Sequence, residues 1–230
     1  MATTVGWMVN SNGASHAMTF TVDRLVCCGW VGRDRDALEA HIEELAELGV
    51  PRPGQVPIYM NFSPYLVTHD NEITVVSDKS SGEIEYVLLC RDGQMWVTVG
   101  SDQTDRDVET KSIPGSKQMY AKYVAESCWP YAEVADHWDH LVLRCWITEN
   151  GKRRVYQEAP LSSILSPAEL IGNVPGVTLP SPDGVVIFSG TISTKSGLIF
   201  GDNYELELED PVLNRKITGS YSVKVLPQYL

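Results

Sequence analysis

Apolar and polar residues alternate along most of the chain, and this two-residue period is typical of half-buried β-strands. Turn signals separate the alternating runs, among them Arg91-Asp92-Gly93 and Asn150-Gly151. The pattern predicts strands at residues 19–26, 58–61, 73–76, 83–90, 95–99, 141–147, 154–157, 185–189, 204–209 and 220–226. Short turns join antiparallel neighbours, so a mostly antiparallel, β-rich domain with a few helices is expected.

Residues 36–48 instead show the period of an amphipathic helix. Asp36 is placed to cap its first turn, with Glu39 three residues later as in a capping box, and Gly49 to end it. The predicted apolar stripe consists of Leu38, Ile42, Leu45 and Leu48.

Two further segments complete the predicted organisation. A short helix is expected at residues 166–171, with Ser166 as its cap and Pro167 in its first position. Residues 1–16 are polar and rich in Gly, Asn and Ser, which predicts a flexible arm or an edge strand. Residues 17–230 then form a single domain, because no linker or internal repeat divides them.

Composition narrows the class of protein. Eighteen basic and thirty acidic residues give a net charge of −12, and no Lys/Arg cluster occurs, so nucleic acid and anionic membranes are poor partners. Five cysteines are odd in number and lack a C-x-x-C spacing, which favours free thiols in a reducing compartment. Neither a signal peptide nor a membrane-spanning apolar run is recognisable, so a cytoplasmic protein is expected.

Two glutamates two residues apart stand out in the predicted strand 83–90. Glu83 and Glu85 project to one face of this strand, and the turn after it returns Asp102 towards them. One interpretation is a solvated strand face followed by an acidic turn. The other is a site for a hard divalent ion, Mg²⁺, Mn²⁺ or Ca²⁺, because the three carboxylates repel one another unless a cation lies between them.

His41 and Glu44 form an H-x-x-E pair on the predicted helix, where side chains three apart are neighbours. A carboxylate beside an imidazole orients it and raises its basicity, as a general base requires. The alternative is a half-buried helix histidine beside a solvated glutamate.

The spacing E-x-E, a β-strand, and then D-x-T-x-R-D at residues 102–107 resembles the metal motif of the fumarylacetoacetate hydrolase superfamily. Other short segments match that superfamily in order, over roughly residues 24–226. They contain the His41–Glu44 dyad upstream, Lys117 downstream, the glutamine Gln157 after a hairpin, and the Gly190-Thr191 loop.

This resemblance implies a single-domain, mixed β-sandwich roll with a few short helices, an α+β fold that is mainly β. It implies Mg²⁺ or Mn²⁺, with Ca²⁺ as a further candidate, in an enzyme that cleaves a C–C bond of a small 2-oxo acid or 1,3-dicarbonyl through a metal-stabilised enolate. It also implies a homodimer and a small carboxylate substrate. The roles it implies are metal ligation by Glu83, Glu85 and Asp102, catalysis by His41, Glu44 and Lys117, and substrate binding by Arg106, Gln157, Gly190 and Thr191.

The chain departs from the superfamily pattern around the substrate. Ile192 replaces the proline after Gly-Thr, Glu109 replaces a glutamine after the R-D pair, and the segment from Glu85 to Asp102 is short. These changes affect the identity of the substrate more than the metal. Decarboxylation, hydration or tautomerisation of a 2-oxo acid therefore stays open, as does a non-catalytic binding or assembly protein that keeps the fold.

Overall fold

The computed structural model describes residues 2–47, 52–175 and 183–228. In these ranges the chain forms seventeen strands: β1 (Thr3–Ser11), β2 (Ala14–Val22), β3 (Arg24–Gly29), β4 (Ile58–Phe62), β5 (Val67–Thr68), β6 (Glu72–Val75), β7 (Ser80–Ser81), β8 (Ile84–Arg91), β9 (Gln94–Asp102), β10 (Thr104–Asp105), β11 (Lys122–Val124), β12 (Ser127–Pro130), β13 (Val142–Glu149), β14 (Lys152–Pro160), β15 (Val185–Phe188), β16 (Asn203–Asp210) and β17 (Arg215–Val225). The α-helices of this part are α1 (Arg35–Glu47), α2 (Arg106–Glu109), α3 (Ile113–Gln118) and α4 (Pro167–Ile171). Short 3-10 segments lie at Pro64–Leu66, Tyr131–Glu133, Ala135–His140 and Leu161–Ser163.

Most strands belong to two sheets. A ten-stranded mixed sheet has the order β2-β1-β12-β9-β8-β15-β3-β4, with β11 and β5 attached beside β9. A five-stranded sheet has the order β14-β13-β16-β17-β6, and β7 pairs with β10 separately. The predicted fold class, mainly β with a few short helices, is confirmed. Strand β8, which follows Glu83 and carries Glu85, lies in the middle of the large sheet between β9 and β15.

Strand β8 contributes to hydrophobic packing on both faces of the large sheet, as its alternating side chains require. Ile84 and Tyr86 join the larger core, which also contains residues of β13 and β16 from the five-stranded sheet. Val87 and Leu89 face a second core, built with Trp7 and other residues of the β1–β2 hairpin. The E-x-E strand is therefore covered on both sides.

The start of the chain was predicted to be a flexible arm or an edge strand, and it forms a strand that lies inside the large sheet, between β2 and β12. Residues 3–11 are β1, which pairs with β2 along its whole length and in parallel with β12. Trp7 and Val9 are buried, so this strand is an integral part of the second core. The strand predicted at 19–26 is interrupted at Asp23, where the backbone N–H groups of Asp23 and Arg24 both donate to the carbonyl of Gly184.

Helix α1 begins one residue before the predicted start, and its cap is a different aspartate. The side chain of Asp34, not Asp36, accepts hydrogen bonds from the backbone N–H groups of Asp36 and Ala37. The predicted stop at Gly49 lies outside the described residues. Helix α4 is confirmed with its Ser166 cap.

The short helices α2 and α3 were not predicted: like α4 they are too short to show a helical period, and Asp105 and Ser112 were not recognised as their caps. Within the described ranges, none of the helices combines the length and apolar character needed to cross a membrane.

Candidate metal centre

A tight hairpin positions two of the three predicted metal ligands. Asp92 and Gly93 both have positive φ values, 51° and 69°, and form a two-residue loop that pairs β8 with β9. The pairing places Asp102 at the end of β9 beside Glu83, whose carbonyl accepts a 3.0 Å hydrogen bond from the Asp102 N–H. The predicted return of Asp102 to the E-x-E pair is therefore present.

One carboxylate oxygen from each of Glu83, Glu85 and Asp102 lies within 4.8 Å of the other two. Glu85 and Asp102 are fully buried and the side chain of Glu83 is 15% exposed. A solvated acidic face would leave these groups in water, so the burial contradicts that interpretation.

Glu85 has one engaged oxygen and one unengaged oxygen. Its Oε2 accepts a 2.6 Å hydrogen bond from the backbone N–H of Gly190, and its Oε1 has no hydrogen-bond partner among the described residues. Burial, and secondarily the charge of Asp102, raises the pKa of Glu85 well above its usual value. A buried carboxylate oxygen without a donor is costly, and a cation would satisfy it.

Glu83 is held by two basic side chains. Its Oε1 accepts from Arg106 Nη1 at 3.0 Å, and its Oε2 accepts from Lys117 Nζ at 2.6 Å. Burial alone would raise the pKa of Glu83, but Lys117 and Arg106 outweigh this effect and lower it to about 2. Glu83 therefore carries a negative charge at any physiological pH.

Asp102 lies between two ammonium groups. Lys117 Nζ donates to Asp102 Oδ2 at 2.8 Å, and Lys122 Nζ lies 2.5 Å from Asp102 Oδ1. The Lys122 contact is an ion pair whose angle does not meet hydrogen-bond geometry, and Lys122 directs its hydrogen bond to the carbonyl of Gln103 at 2.9 Å. Lys122 was not predicted as a site residue, because a lone lysine in a polar-to-apolar run has no recognisable sequence signal.

Each of the three carboxylates thus has one oxygen bound by a partner outside the cluster. The outer partners are Lys122 for Asp102, Arg106 for Glu83, and the Gly190 N–H for Glu85. Of the three remaining oxygens, two contact Lys117 and one is unpartnered. We call these three remaining oxygens, Glu83 Oε2, Glu85 Oε1 and Asp102 Oδ2, the inner oxygens.

Lys117 is buried, and short helix α3 positions it. Ser112 caps this helix through a hydrogen bond from the Gly115 N–H. Burial disfavours the ammonium, but Asp102 and Glu83 outweigh burial and raise the pKa of Lys117 well above its usual value. In this arrangement the carboxylates around Lys117 favour its ammonium form.

Arg106 fixes the position of the loop that follows β9 through side-chain hydrogen bonds. Its Nε donates to Ser81 at 2.7 Å and its Nη1 donates to both Glu83 and Glu109. Asp105 caps helix α2, which begins at Arg106. Charges on Glu83 and Glu109 outweigh burial and raise the pKa of Arg106 above its usual value.

Gln157 and Thr191 join the E-x-E strand to the loop after β15. Gln157 Oε1 accepts from the Ile84 N–H at 3.1 Å, and its Nε2 donates to Thr191 Oγ1 at 2.8 Å and to the Ile192 carbonyl at 2.5 Å. Thr191 Oγ1 donates to the Ile84 carbonyl at 2.8 Å. Gly190, with φ of +85°, leaves no room for a side chain, because a Cβ atom would lie 2.7 Å from Val31.

The predicted residues Lys117, Arg106, Gln157, Gly190 and Thr191 all contact the E-x-E segment or Asp102. His41 and Glu44 lie on helix α1, but their side chains fall outside the described part of the structure. The catalytic and substrate-binding roles of these residues remain predictions.

The donor set fits a hard divalent ion. Three carboxylates without histidine or cysteine are ligands typical of Mg²⁺, Mn²⁺ or Ca²⁺. Among the described residues the buried Glu85 Oε1 has no hydrogen-bond partner, so it is a ligand position that such an ion would fit.

A family model described as a protein of unknown function, DUF2848, matches residues 28–221. No curated protein matches the chain. Among solved structures, the Cg1458 protein with inhibitor is 17% identical, with a TM-score of 0.64 over 94% of this chain and 84% of its own.

Two further solved structures have similar scores. The yeast protein ynq8, a fumarylacetoacetate hydrolase family protein, is 16% identical, with a TM-score of 0.59 over 90% of this chain and 95% of its own. A 2-keto-3-deoxy-D-arabinonate dehydratase complexed with magnesium and 2,5-dioxopentanoate is 20% identical, with a TM-score of 0.58 over 89% of this chain and 74% of its own. The chain therefore belongs to the DUF2848 family and has the fold of the fumarylacetoacetate hydrolase superfamily.

Proposed function

We propose that this protein is a divalent-metal-dependent enzyme acting on a small 2-oxo acid or 1,3-dicarbonyl compound, with hydrolysis of a C–C bond as the first candidate reaction. The observation that carries the proposal is the buried cluster of Glu83, Glu85 and Asp102, in which Glu85 Oε1 has no hydrogen-bond partner within the described part of the chain. The fold similarity to a dehydratase solved with magnesium supports the same class of chemistry.

Mg²⁺ or Mn²⁺ is the proposed ion, held by the inner oxygens. When bound, such an ion polarises carbonyl oxygens and stabilises negative charge that develops on them. Lys117 contacts two inner oxygens and would have to turn away when an ion binds. Its ammonium would then be available to bind the carboxylate of the substrate.

The other predicted substrate residues act mainly by shaping the site. The amide of Gln157 and the hydroxyl of Thr191 are hydrogen-bonded to the backbone of Ile84, and the Gly190 N–H orients Glu85. Arg106 orients Glu83 and, through its charge, adds to the attraction for an anionic substrate. We propose that these residues form the wall against which the substrate carboxylate and carbonyl groups bind.

The His41–Glu44 pair is the proposed activator of water. An imidazole held by a carboxylate accepts a proton from water, which a hydrolysis or hydration step requires. His41→Ala should abolish turnover and leave metal binding intact. Unchanged turnover of the true substrate by this variant would contradict the role of the dyad.

Calorimetric titration with Mg²⁺, Mn²⁺ and Ca²⁺ tests the metal site directly. The protein is first stripped with EDTA, and Glu85→Ala is compared with Glu72→Ala, whose carboxylate forms an exposed ion pair with Lys224. We expect binding by the wild type and by Glu72→Ala, and no binding by Glu85→Ala. A wild type that binds none of the three ions would overturn the proposal.

With the ion established, acylpyruvates and oxaloacetate are the substrates to assay. Hydrolysis yields two carboxylic acid products, decarboxylation yields CO₂, and hydration or tautomerisation preserves all carbon atoms. Product analysis therefore assigns the reaction type. Two cleavage products from an acylpyruvate would support the first candidate.

One observation favours a second candidate, an ion-free binding or assembly protein on the same fold. Lys117 already bridges Glu83 and Asp102 and neutralises part of the cluster. If Lys117 is the resident cation, the wild type will show no heat of binding with any divalent ion. The same titration thus separates the two candidates.

We also propose that the protein is a cytoplasmic homodimer. None of the five cysteines forms a disulfide and all are buried, as expected for a reducing compartment. Light scattering after size-exclusion chromatography measures the oligomeric state, and a monomer at micromolar concentration would contradict the dimer.

A further inference from the structure

Tyr221 belongs to the five-stranded sheet, but its hydroxyl binds the large sheet beside Asp102. It is a residue of β17, it is buried, and its hydroxyl contacts the two residues that flank Asp102. Ser101 Oγ and the Tyr221 oxygen are 2.8 Å apart, and Tyr221 donates to Gln103 Oε1 at 2.8 Å. One hydroxyl therefore holds the chain on both sides of a proposed metal ligand.

The direction of these hydrogen bonds follows from the number of protons available. A tyrosine hydroxyl has one proton, and Tyr221 gives it to Gln103, so Ser101 is the donor to the Tyr221 oxygen. The amide nitrogen of Gln103 donates in turn to Ser80 Oγ at 3.0 Å. All four side chains are buried, and a buried polar network whose members are partnered is rigid.

The same hydroxyl packs against the residue that precedes Glu83. A Cβ atom on Gly82 would lie 2.3 Å from the Tyr221 oxygen and 2.6 Å from Ser101 Oγ, so glycine is the residue that leaves room for the hydroxyl there. Tyr221 thus lies against the chain next to two of the three proposed ligands, Glu83 and Asp102.

The proposed ligands need support from the chain because their charges repel one another. One oxygen from each of Glu83, Glu85 and Asp102 lies within 4.8 Å of the other two. Asp102 is the last residue of β9, so a shift of residues 101–103 would move it away from the glutamates. Ligands that are held together before the ion arrives bind it more tightly, because less order has to be created on binding.

We propose that Tyr221 is a positioning residue of the metal site. Its hydroxyl, supplied by the other sheet, fixes residues 101–103 against Gly82 and so keeps Asp102 and Glu83 close enough to share an ion. This inference rests on the metal site of the proposed function. A hydroxyl that only satisfied buried polar groups would change the free energy of unfolding and leave the affinity for the ion unchanged.

Tyr221→Phe removes the hydroxyl and keeps the ring, and Tyr123→Phe is its matched control. The buried ring of Tyr123 stacks on that of Tyr221 at 5.2 Å, but its hydroxyl accepts a 3.1 Å hydrogen bond from the Ser220 N–H instead of binding the residues beside Asp102.

A double variant separates positioning from stability. Tyr221→Phe leaves the buried amide oxygen of Gln103 without its donor, which destabilises the protein. Adding Gln103→Met removes that amide, so part of the lost stability should return although the link between the sheets is still absent.

Two quantities are measured for each EDTA-stripped protein, at a temperature at which it is folded. Calorimetric titration gives the dissociation constants of Mg²⁺ and Mn²⁺, and urea denaturation gives the free energy of unfolding. Far-UV circular dichroism verifies folding. If Tyr221→Phe does not fold, Ser101→Ala takes its place, because it removes the hydroxyl that donates to Tyr221.

We expect Tyr221→Phe to raise the dissociation constants of both ions by about tenfold or more, and Tyr123→Phe to change them by less than about twofold. The double variant should regain stability and keep its weakened affinity. Unchanged affinity in Tyr221→Phe, equal weakening in both phenylalanine variants, or a double variant whose affinity returns with its stability would overturn the inference and leave the metal site standing. A wild type that binds no ion would overturn both.

Discussion

Glu85→Gln is the substitution with the most specific expected outcome, because it should stabilise the protein while abolishing metal binding. The Glu85 carboxylate is buried, and no described residue donates a hydrogen bond to its Oε1. A glutamine of the same shape keeps an oxygen for the Gly190 N–H and places an amide N–H₂ at the unpartnered position. That amide faces the neighbouring carboxylates of Glu83 and Asp102 and can donate to them.

The magnitude follows from the cost of the unsatisfied group. A buried polar atom without a hydrogen bond costs about 1–3 kcal/mol, so Glu85→Gln should stabilise the metal-free protein by about 2 kcal/mol. For a domain of this size, that raises the melting temperature by about 4–8 °C. Saturating Mg²⁺ at one hundred times the dissociation constant adds about 2.7 kcal/mol to the wild type alone. When Mg²⁺ is added, the wild type should therefore become as stable as Glu85→Gln or more stable than it.

The pH dependence of the free energy of unfolding independently tests the sign of the effect expected for Glu85→Gln. The pKa of Glu85 is raised in the folded state, mainly by burial, above the usual value that it regains on unfolding. At pH values below that usual pKa, Glu85 is protonated in both the folded and the unfolded protein, so folding buries no charge at this position. As pH rises above it, the unfolded chain releases a proton that the folded protein retains, so stability falls with increasing pH. The advantage of Glu85→Gln should thus be small at pH 4 and grow towards pH 8.

The assay is thermal denaturation of both proteins at pH 4 and pH 8, in EDTA and in Mg²⁺. Glu72→Gln is the control, because this carboxylate is an exposed ion-pair partner whose loss should change stability little. A Glu85→Gln variant that is less stable than the wild type at pH 8 in EDTA would refute the reasoning. An equal advantage at both pH values would refute the assignment of that advantage to the buried charge.

Two further predictions concern the partners of this cluster. Lys117 and Arg106 hold the pKa of Glu83 at about 2 instead of the ordinary 4.5. This shift corresponds to about 3 kcal/mol of stability, which is present above pH 4.5 and is lost as pH falls towards 2. Urea denaturation from pH 5 to pH 2 should show this loss in the wild type and not in Glu83→Gln. Gly190→Ala should destabilise the protein by more than 2 kcal/mol, since its added Cβ would lie 2.7 Å from Val31. Gly197→Ala, at φ +76° in open space, should cost only about 1 kcal/mol for its backbone conformation, and equal costs at the two glycines would contradict the close approach at Gly190.

The features that could be predicted from the sequence are those determined by residues close together in the chain. The Asp92-Gly93 turn specifies a two-residue hairpin, and this hairpin alone brings Asp102 beside Glu83. Period-two alternation likewise located most strands, and the Ser166 cap located α4. A strand near the N-terminus was one of two predicted alternatives, but its place inside the sheet was not predicted, because the burial of Trp7 depends on pairing with a strand more than a hundred residues away.

The rest of the site depends on contacts that no local pattern encodes. Gln157 reaches the Ile84 N–H across 73 positions, and Gly190 reaches Glu85 across 105. Resemblance to a known family suggested these residues, but it could not show that the amide of Gln157 is engaged with the chain or that Lys122 accompanies Lys117. Lys122 is the clearest case, because its importance depends on facing Asp102 across a strand pair and on having no contact with water. Two buried cations, Lys117 and Lys122, therefore contact Asp102 from different parts of the chain, and no local pattern in the sequence encodes that pairing.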